Sequence, residues 1–442
     1  MAIIVGSGCD LNRIVRPNLL FLSPTMPNAT GHGSSIRSGI ILQQLSELYN
    51  VYALIIQLYT QTRLSVTNEW LTPFCKSVQL ISQQQVIEGA RKGRILFDGI
   101  EAIHKVHVFH LLMAPFIKSL LMRHAGDRPV CVLDLDDYES KKLHRFAAVS
   151  EADGDSSSSL AFHRRALEFE QAERAYLCKF DQIYVSQRAD CHELSNAHGL
   201  DNVSVVPNCV RLPDVKRQHG MCGIATIVFV GTLDYFPNED GIVWFCSEIL
   251  PIIRDGAGVP FRVLIVGARP TYKVLVLGNI PEVTVIGEVD SLDSIYSHAS
   301  MALVPLRAGG GTRLKILEAF SYECPVISTS VGAEGLDVGP GSEILIGDSP
   351  RTFAQHCITL LRDPTQIDAL GSRGFEWVKH YHSVENMREC LRQLAVRDGF
   401  HGSSVFKELD VPRFFRGLTL NQLRHTIATP AGETAPQDCR NL

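Results

Sequence analysis

The first part of the chain alternates between short apolar runs and a helical pattern. Asn18–Pro24 is an apolar run that ends in turn residues, which is typical of a buried strand. The glycine-rich turn Gly31–Ser35 follows, and Ile36–Tyr49 then carries apolar residues at helical spacing before Val51–Leu58 returns to strand character. A strand, a glycine turn, a helix and a second strand form a βαβ unit, which predicts a parallel sheet.

The same alternation continues up to a Pro-Asn pair at residues 207–208. The expected strands of this part are Ser77–Ser82, Val106–Leu111, Val130–Asp136, Asp181–Ser186 and Val203–Val206. A helix is predicted from Leu160 to Phe180, and the polar run Asp153–Ser159 before it is expected to be an exposed loop.

A second series of βαβ units follows the polar stretch Pro213–Gly223, which is predicted to be a linker. The expected strands are Ile224–Val230, Phe261–Val266, Val283–Ile286, Met301–Pro305, Val326–Ser328 and Glu343–Ile346, with helices over Thr312–Tyr322 and Thr352–Leu361. The pattern therefore predicts an α/β protein of two doubly wound domains, with a ligand in the cleft outside the carboxyl ends of their strands.

Composition narrows the class of protein. The 442 residues are 45% hydrophobic and 20% charged with a net charge of −5, which argues against a disordered chain and against a nucleic-acid-binding protein. The twelve cysteines include no CxxC pair, so buried thiols in a reducing cytoplasm are expected rather than a zinc site or a disulfide framework. The N-terminus lacks the basic and apolar regions of a signal peptide, and the apolar stretch Leu111–Met122 is interrupted by Pro115 and Lys118.

Two segments could contact a membrane surface, Met113–Arg123 and Phe414–Arg416. For the first, an ordinary core-facing helix is the better explanation. The expected location is the cytoplasm, with contact at the inner face of the membrane left open.

The strongest candidate for chemistry is the glycine-rich stretch Pro305–Ala319, where a strand ends and a helix begins. Its three consecutive glycines, Gly309, Gly310 and Gly311, allow backbone N–H groups to approach an anion, and the helix N-terminus adds positive potential. The spacing does not match a Walker A loop.

The side chains that follow the glycines suggest a nucleoside diphosphate. Thr312, Lys315 and Glu318 recur every third residue and share one helix face. Lys315 would meet the phosphate charge and Glu318 the ribose hydroxyls, with Arg313 in reach of the same phosphates. The alternative is a capped loop before an ordinary helix whose Lys315 and Glu318 pair in solvent.

Several motifs occur in a fixed order along the second half. They are Phe229–Asn238, Ile265–Pro270, Gly287–Asp290, Val304–Pro305, Gly309–Glu318 and Pro325–Gly335. This order resembles the C-terminal domain of GT-B glycosyltransferases of family 4, the group-1 transferases, and most closely the subgroup with a GxGTRLK loop. The resemblance covers about residues 18–395 and is looser in the first half.

The resemblance implies that the second domain binds a nucleotide-diphosphosugar donor and the first domain binds the acceptor. The loops at Gly231 and at the three glycines would hold the diphosphate, and the residue matching Glu318 would bind the ribose. The base would pack near Gly267, Arg269 and Val289.

In the first half, Gly33 could approach the donor phosphate or the acceptor, or it could belong to an ordinary turn. His110 and His107 lie at the end of a candidate strand, where either could contact the donor sugar or simply pack. The candidate catalytic residues are thus Lys315, Arg313 and His110.

Two positions depart from the family pattern. Gly310 stands where the family places the first glutamate of its E-x7-E motif, and Asp234–Asn238 replaces the usual basic pair. Arg313 and Lys315 would then supply the positive charge for the diphosphate, so no metal and no cofactor beyond the donor substrate are expected. Asp134-Leu-Asp136 reads as DxD, but its place at a strand end favours a structural or acceptor-side role.

The expected division is an N-terminal extension (1–17), an acceptor domain (18–209), a nucleotide-sugar domain (210–383), a helix returning to the first domain (384–399) and a partly disordered tail (400–442). The expected function is sugar transfer with retention from a nucleotide-diphosphate donor to a carbohydrate or lipid-linked acceptor. The resemblance to the family implies a role in polysaccharide or glycolipid assembly. The alternatives are a catalytically silent nucleotide-sugar-binding protein and a GT-B epimerase or phosphorylase.

Overall fold

The computed structural model describes residues 16–58, 69–91, 100, 102–117, 128–215 and 224–397. They form two parallel sheets, each flanked by helices, which confirms the predicted α/β architecture of two doubly wound domains. The first sheet has the order β3-β2-β1-β4-β5-β6-β7 and the second has the order β10-β9-β8-β11-β12-β13.

The first sheet is built from short, mostly buried strands. They are β1 (Asn18–Ser23), β2 (Asn50–Gln57), β3 (Cys75–Ser82), β4 (Lys105–Phe109), β5 (Val130–Asp134), β6 (Gln182–Val185) and β7 (Val203–Val205). The helices between them are α1 (Gly33–Ser46), α2 (Gln83–Arg91), α3 (Glu139–Ala152), α4 (Ser156–Tyr176) and α5 (Arg188–His198). Apolar side chains cover both faces of this sheet, as continuous apolar strands require.

The second sheet repeats the plan. Its strands are β8 (Ala225–Val230), β9 (Phe261–Val266), β10 (Val283–Gly287), β11 (Met301–Val304), β12 (Val326–Ser328) and β13 (Leu345–Ile346). Its helices are α6 (Phe236–Trp244), α7 (Leu250–Gly256), α8 (Tyr272–Leu275), α9 (Asp293–Tyr296), α10 (Leu314–Ser321), α11 (Pro350–Arg362) and α12 (Pro364–Tyr381).

The last helix, α13 (Val384–Arg397), packs against the first sheet. Met387, Leu391 and Leu394 are buried in the same cluster as Ile40 and Ile41 of α1. The chain therefore crosses between the two sheets twice, and the crossings meet where Val210 pairs with Ser383. The exact domain boundaries, the extension and the tail stay predictions, and the tail lies outside the described residues.

The expectation of an exposed loop over Asp153–Ser159 is wrong for its second half. Asp155 accepts a hydrogen bond from the Ser158 N–H at 3.0 Å and caps α4, which begins at Ser156. A carboxylate at this position satisfies one of the N–H groups that open a helix, so a serine run can form the first turn. Helix α3, which precedes this turn, was not predicted.

Of the two segments proposed to touch a membrane, the described part of the first lies inside the protein. Leu111–Phe116 is a short 3-10 helix whose side chains are all buried. The rest of that segment and all of Phe414–Arg416 fall outside the described residues. Across the described ranges, none of the helices combines the length and apolar character needed to cross a bilayer.

Candidate functional site

Two helix N-termini meet in the cleft between the sheets. Helix α1 starts at Gly33 and α10 starts at Leu314, and a Cβ atom at Gly33 would lie 3.2 Å from the Leu314 Cδ1 atom. The first N–H groups of each helix lack intrahelical partners, and each N-terminus carries about half a positive charge. The cleft is therefore suited to an anionic group.

Glycines bring the loops after β8 and β9 into direct contact. A Cβ atom at Gly267 would lie 1.7 Å from the Gly231 carbonyl oxygen, which no rearrangement of a side chain could relieve. A Cβ atom at Gly231 would in turn lie 2.6 Å from the Asn238 amide nitrogen and 3.0 Å from the Lys315 Nζ atom. Both glycines predicted from the sequence thus form the wall beside the Lys315 ammonium group.

Lys315 is held by an amide and an aromatic ring. Its Nζ atom donates to Asn238 Oδ1 at 2.5 Å and lies 4.7 Å from the centre of the Phe229 ring. Burial, together with the nearby Arg313, lowers the pKa of Lys315 to about 7, and Glu318 partly offsets this decrease. No carboxylate of the described residues lies within ion-pair distance of this ammonium group.

Glu318 lies one turn further along α10, on the same side as Lys315. Burial raises the pKa of Glu318 more than the charge of Lys315 lowers it, and the result is a pKa of about 7. The carboxyl group is therefore ready to ionise near neutral pH, and an ionised carboxylate is a strong acceptor for hydroxyl groups. The geometry is compatible with the expected contact to a ribose.

Arg313 is directed into the glycine loop rather than into the open cleft. Its guanidinium group donates to the carbonyl oxygens of Gly310, Gly311 and Val331. The side chain is buried, and this burial lowers its pKa. Arg313 fixes the shape of the loop and places a second cation without a carboxylate partner, among the described residues, near Lys315.

The glycine loop rests on the first half of the chain. A Cβ atom at Gly310 would lie 3.0 Å from Lys142 Cβ, and one at Gly311 would lie 1.9 Å from Asp137 Oδ1. Lys142 donates to Asp137 and to Glu139, each at 2.8 Å. The space where the resemblance places a glutamate is therefore occupied by the side chain of Lys142.

The remaining glycine and Thr312 have packing roles of their own. A Cβ atom at Gly309 would lie 2.5 Å from the Arg313 Nη2 atom. The Thr312 N–H donates to Ser186 Oγ at 3.3 Å, and the Thr312 hydroxyl donates to the Ser186 carbonyl oxygen at 3.2 Å. Thr312 therefore joins the two halves of the protein, a role that its spacing on the helix face did not indicate.

Besides Gly267, the two other residues expected near the base, Arg269 and Val289, lie in the loops after β9 and β10. Arg269 has a positive φ of 54° and pairs with Asp234 at 2.6 Å, and its side chain is about half exposed. Val289 is partly buried in the loop after β10. The positive charge of Arg269 reaches across the cleft, because it adds to burial in lowering the pKa of His32 at the N-cap of α1.

The two candidate histidines of the first half are less accessible to a bound sugar than the sequence suggested. His110 has a positive φ of 77°; its Nδ1 atom accepts from the Leu112 N–H at 3.3 Å, and its Nε2 atom faces Glu139 Oε1 at 3.2 Å. Both ring nitrogens are thus engaged within the first half. His107 follows the packing alternative, because its ring is buried and stacks on Phe21 with centroids 5.0 Å apart.

The two aspartates of the DxD sequence differ in their surroundings. Asp134 is buried and accepts two hydrogen bonds from Arg37, each at 3.1 Å. Arg37 also donates to the Val206 carbonyl oxygen and to Asn208, so this pair ties α1 to the start of the crossing between the sheets. Asp136 instead lies beside the cleft, where it accepts from the Ser34 hydroxyl at 2.8 Å. Within the described ranges, no group of three or more His, Cys, Asp or Glu side chains is arranged to hold a metal ion.

Contacts between the halves surround the cleft. Arg145 of α3 forms a bidentate pair with Glu334, and Arg307 bridges Asp153 of the first half and Asp240 of the second. The rings of Phe146, Phe162, Tyr235 and Phe236 pack against one another across the same interface. The residues that sequence reasoning did not assign to the site are Asn238, Ser186, Lys142 and Asp137. For Asn238 a signal existed, since it follows a proline at the start of a helix after a buried strand.

Comparison with known proteins agrees with this arrangement. Residues 224–363 match the family model described as "Glycosyl transferases group 1". A Klebsiella pneumoniae protein, "Uncharacterized 44.6 kDa protein in cps region", is 20% identical over 388 residues, which is 84% of this chain and 97% of that protein.

Solved structures share the fold. Sucrose-phosphate synthase from Thermosynechococcus elongatus superposes with a TM-score of 0.60 at 16% identity, covering 86% of this chain and 99% of that one. Anabaena HepE in complex with UDP-glucose gives 0.60 at 12% identity, covering 86% and 99%. TarM gives 0.60 at 8% identity, covering 87% and 99%. The fold is therefore that of GT-B glycosyltransferases, in which the second half carries the group-1 match.

Proposed function

We propose that the protein is a GT-B glycosyltransferase that binds the diphosphate of a nucleotide-sugar donor beside Lys315 and the glycine loop. The observation that supports this most strongly is a pair of partly or fully buried cations, Lys315 and Arg313, with no carboxylate of the described residues in ion-pair contact. Arg37 and Lys142 are also buried, and each is neutralised by a carboxylate in contact, Asp134 and Asp137 respectively. Burying unpaired charge is costly, which favours a site built for an anion.

The reaction proposed is transfer of the sugar with retention. The bond between the anomeric carbon and the diphosphate oxygen breaks, and its electron pair stays with the diphosphate. The acceptor oxygen forms the new bond to the anomeric carbon and gives up its proton to the departing phosphate or to solvent. Negative charge grows on the diphosphate as the bond breaks, so the Lys315 ammonium and the N-terminus of α10 stabilise the transition state more than the ground state.

The donor is proposed to lie with its base near Arg269 and Val289, its ribose at Glu318, and its sugar directed toward the first half. Anabaena HepE, which shares the fold, was solved in complex with UDP-glucose, so UDP and UDP-glucose are the first probes for this chain. The acceptor is proposed to be a carbohydrate or a lipid-linked carbohydrate that enters from the side of the first sheet.

A second candidate function rests on Gly310. Because the Lys142 side chain fills the space beside Gly310, no side chain from this loop position can reach a sugar hydroxyl. A protein that binds nucleotide sugars without transferring them would tolerate this loss.

Calorimetric titration with UDP and GDP, followed by hydrolysis assays with their sugars, tests both candidates. We expect binding of one nucleoside diphosphate and slow hydrolysis of its sugar derivative in the absence of an acceptor. Binding without hydrolysis, and without transfer to any of a panel of glycan acceptors, would favour the silent binding protein. Failure of every nucleoside diphosphate to bind would refute the proposed site.

A further inference from the structure

Asp136 lies where three segments of the cleft meet. It belongs to the loop after β5, its neighbour Ser34 lies in the first turn of α1, and its carbonyl oxygen is 3.5 Å from the position of a Cβ atom at Gly311. Gly33, the residue before Ser34, lies against Leu314 at the start of α10, so Asp136 lies beside the place where the two helix N-termini approach each other.

The backbone holds the Asp136 carboxylate in a fixed orientation. Its φ of 63° is left-handed, a conformation that aspartate and asparagine tolerate better than most residues. The Asp136 N–H donates to Asp134 Oδ1 at 3.0 Å, and its carbonyl oxygen accepts from the Ser186 hydroxyl at 3.1 Å. The strained turn is therefore stabilised on both sides, as is common where a side chain must be aimed.

One oxygen of this carboxylate is available to a ligand. Oδ2 accepts from Ser34, whereas Oδ1 lies 3.8 Å from the nearest nitrogen of Arg37, which is too far for a hydrogen bond. Arg37 uses its donors on Asp134, Val206 and Asn208. The side chain of Asp136 keeps 15% of its surface exposed, and among the described residues no donor reaches Oδ1.

We infer that Asp136 accepts a hydrogen bond from a carbohydrate hydroxyl held between the two halves. A carboxylate at this point repels phosphate and attracts O–H groups, so its partner is the neutral sugar rather than the diphosphate. The hydroxyl belongs either to the donor sugar or to the attacking acceptor. This inference rests on the proposed function, since it assumes that a nucleotide sugar occupies the cleft.

The electrostatics of Asp136 give the inference a pH signature. Burial raises the pKa of Asp136, with Asp137 and Asp134 adding to the rise and Arg37 and the Ser34 hydroxyl opposing it, and the result is a pKa of about 7. The facing segment Gly311–Thr312 carries no ionisable side chain. The ionised carboxylate, which is the stronger acceptor, therefore forms as the pH rises through about 7.

The test compares a nucleotide with its sugar derivative in the full-length chain and in Asp136→Asn. The probe is UDP with UDP-glucose, or GDP with GDP-mannose, whichever pair binds the parent chain. The ratio of the two dissociation constants isolates the sugar, because Lys315 and Glu318 contact only what both ligands share. Asparagine is isosteric with aspartate and accepts the same φ, and unchanged thermal unfolding will show that the fold is intact.

If Asp136 binds the donor sugar, the advantage of the nucleotide sugar over the nucleotide falls about tenfold in Asp136→Asn, the difference between a charged and a neutral hydrogen bond. In the parent this advantage increases between pH 6 and 8, and in the variant it does not. Ser34→Ala should move the midpoint of the increase to higher pH, because it removes a hydrogen bond that favours the ionised form.

If Asp136 instead binds the acceptor, the affinity ratio stays constant while hydrolysis of the nucleotide sugar slows and loses its increase near pH 7, with water as the acceptor. Asp348→Asn is the matched control, because Asp348 also accepts from a serine hydroxyl, at 2.6 Å, but on the exposed side of the second half. Asp348→Asn should change neither the affinity ratio nor the rate of hydrolysis.

An Asp136→Asn variant with parental affinity ratio and parental hydrolysis would overturn the inference and leave the proposed function standing. If no nucleotide binds the parent chain, the proposed function fails first and the inference fails with it.

Discussion

Replacing Lys315 by methionine tests the anion site most directly. The ammonium group is the one cation of the described site that points toward Gly231 and the start of α10, and methionine keeps much of its apolar stem while removing the charge. A charge-assisted hydrogen bond is worth about 1.5–3 kcal/mol, so UDP or GDP should bind about 10- to 100-fold more weakly. The variant should bind the corresponding nucleoside as the parent does.

The protonation of Lys315 provides a second readout that simple damage to the fold would not mimic. With a pKa of about 7 in the free protein, roughly half of the Lys315 side chains are neutral at pH 7, and a bound diphosphate raises that pKa. Binding at pH 7 should therefore take up about 0.5 proton from solution at this residue, increasing at pH 8. Glu318 contributes with the opposite sign, because a ribose hydroxyl that donates to its carboxylate releases a proton.

Titration calorimetry in two buffers of different ionisation enthalpy measures this proton uptake. A Glu318→Gln background removes the opposing contribution of Glu318 from this measurement. Lys379→Met is the matched control, because the Lys379 ammonium also lies over an aromatic ring, that of Phe375, but on the exposed surface of α12. Parental affinity and unchanged proton uptake in Lys315→Met would refute the phosphate role.

The same substitution should stabilise the unliganded protein. The pKa of Lys315 in the folded protein lies below its ordinary value of 10.5, so burial of the ammonium group destabilises the fold. This destabilisation is complete below about pH 7 and disappears as the pH rises above 10. Lys315→Met removes that cost and should raise the unfolding temperature by about 2–4 °C for each kcal/mol recovered. The increase should be larger at pH 6 than at pH 9, as expected where stability is exchanged for function.

Three further substitutions test the surroundings of the site. Arg37→Met leaves the Asp134 charge buried without its partner and should cost about 3–5 kcal/mol in urea unfolding, with partial recovery when Asp134→Asn is added. Gly311→Ala places a Cβ atom 1.9 Å from Asp137 Oδ1 at a φ of 63°, so it should weaken nucleotide-sugar hydrolysis far more than UDP binding; equal losses of both would contradict a role in closing the cleft. Glu318→Gln should reduce the preference for UDP over its 2′-deoxy analogue in competition binding, and an unchanged preference would remove the ribose assignment.

Hydrophobic periodicity was sufficient to predict the two sheets, because central strands such as β1, β8 and β11 are buried apolar runs separated by helical patterns. It was insufficient for helix α3, which was not predicted, and for the first turn of α4, which begins at Ser156 rather than at the predicted Leu160. The serine run at the start of α4 has the composition of a loop, and only the contact between Asp155 and the Ser158 N–H shows that it is the first turn of a helix.

Part of the site could be predicted because some of its residues are close together in the sequence. Lys315 and Glu318 share a helix face through local spacing, which a sequence displays directly. The direction of the Arg313 side chain depends on carbonyl oxygens of a folded loop, and the spacing of residues carries no information about that choice. His107 likewise appeared suitable at a strand end until the strand register placed it against Phe21.

The glycine loop has a second structural role that its sequence motif does not reveal. From the sequence, three glycines allow backbone N–H groups to approach a phosphate, which requires only that side chains be absent. The structure adds a second requirement, because Gly310 and Gly311 lie against Lys142 and Asp137, which are more than 160 residues earlier in the chain. The same atoms must then accommodate an anion from one side and the first half of the protein from the other. Gly311→Ala disturbs the contact between the halves, whereas Lys315→Met alters the charge and leaves that contact intact, so the two variants together separate the two requirements.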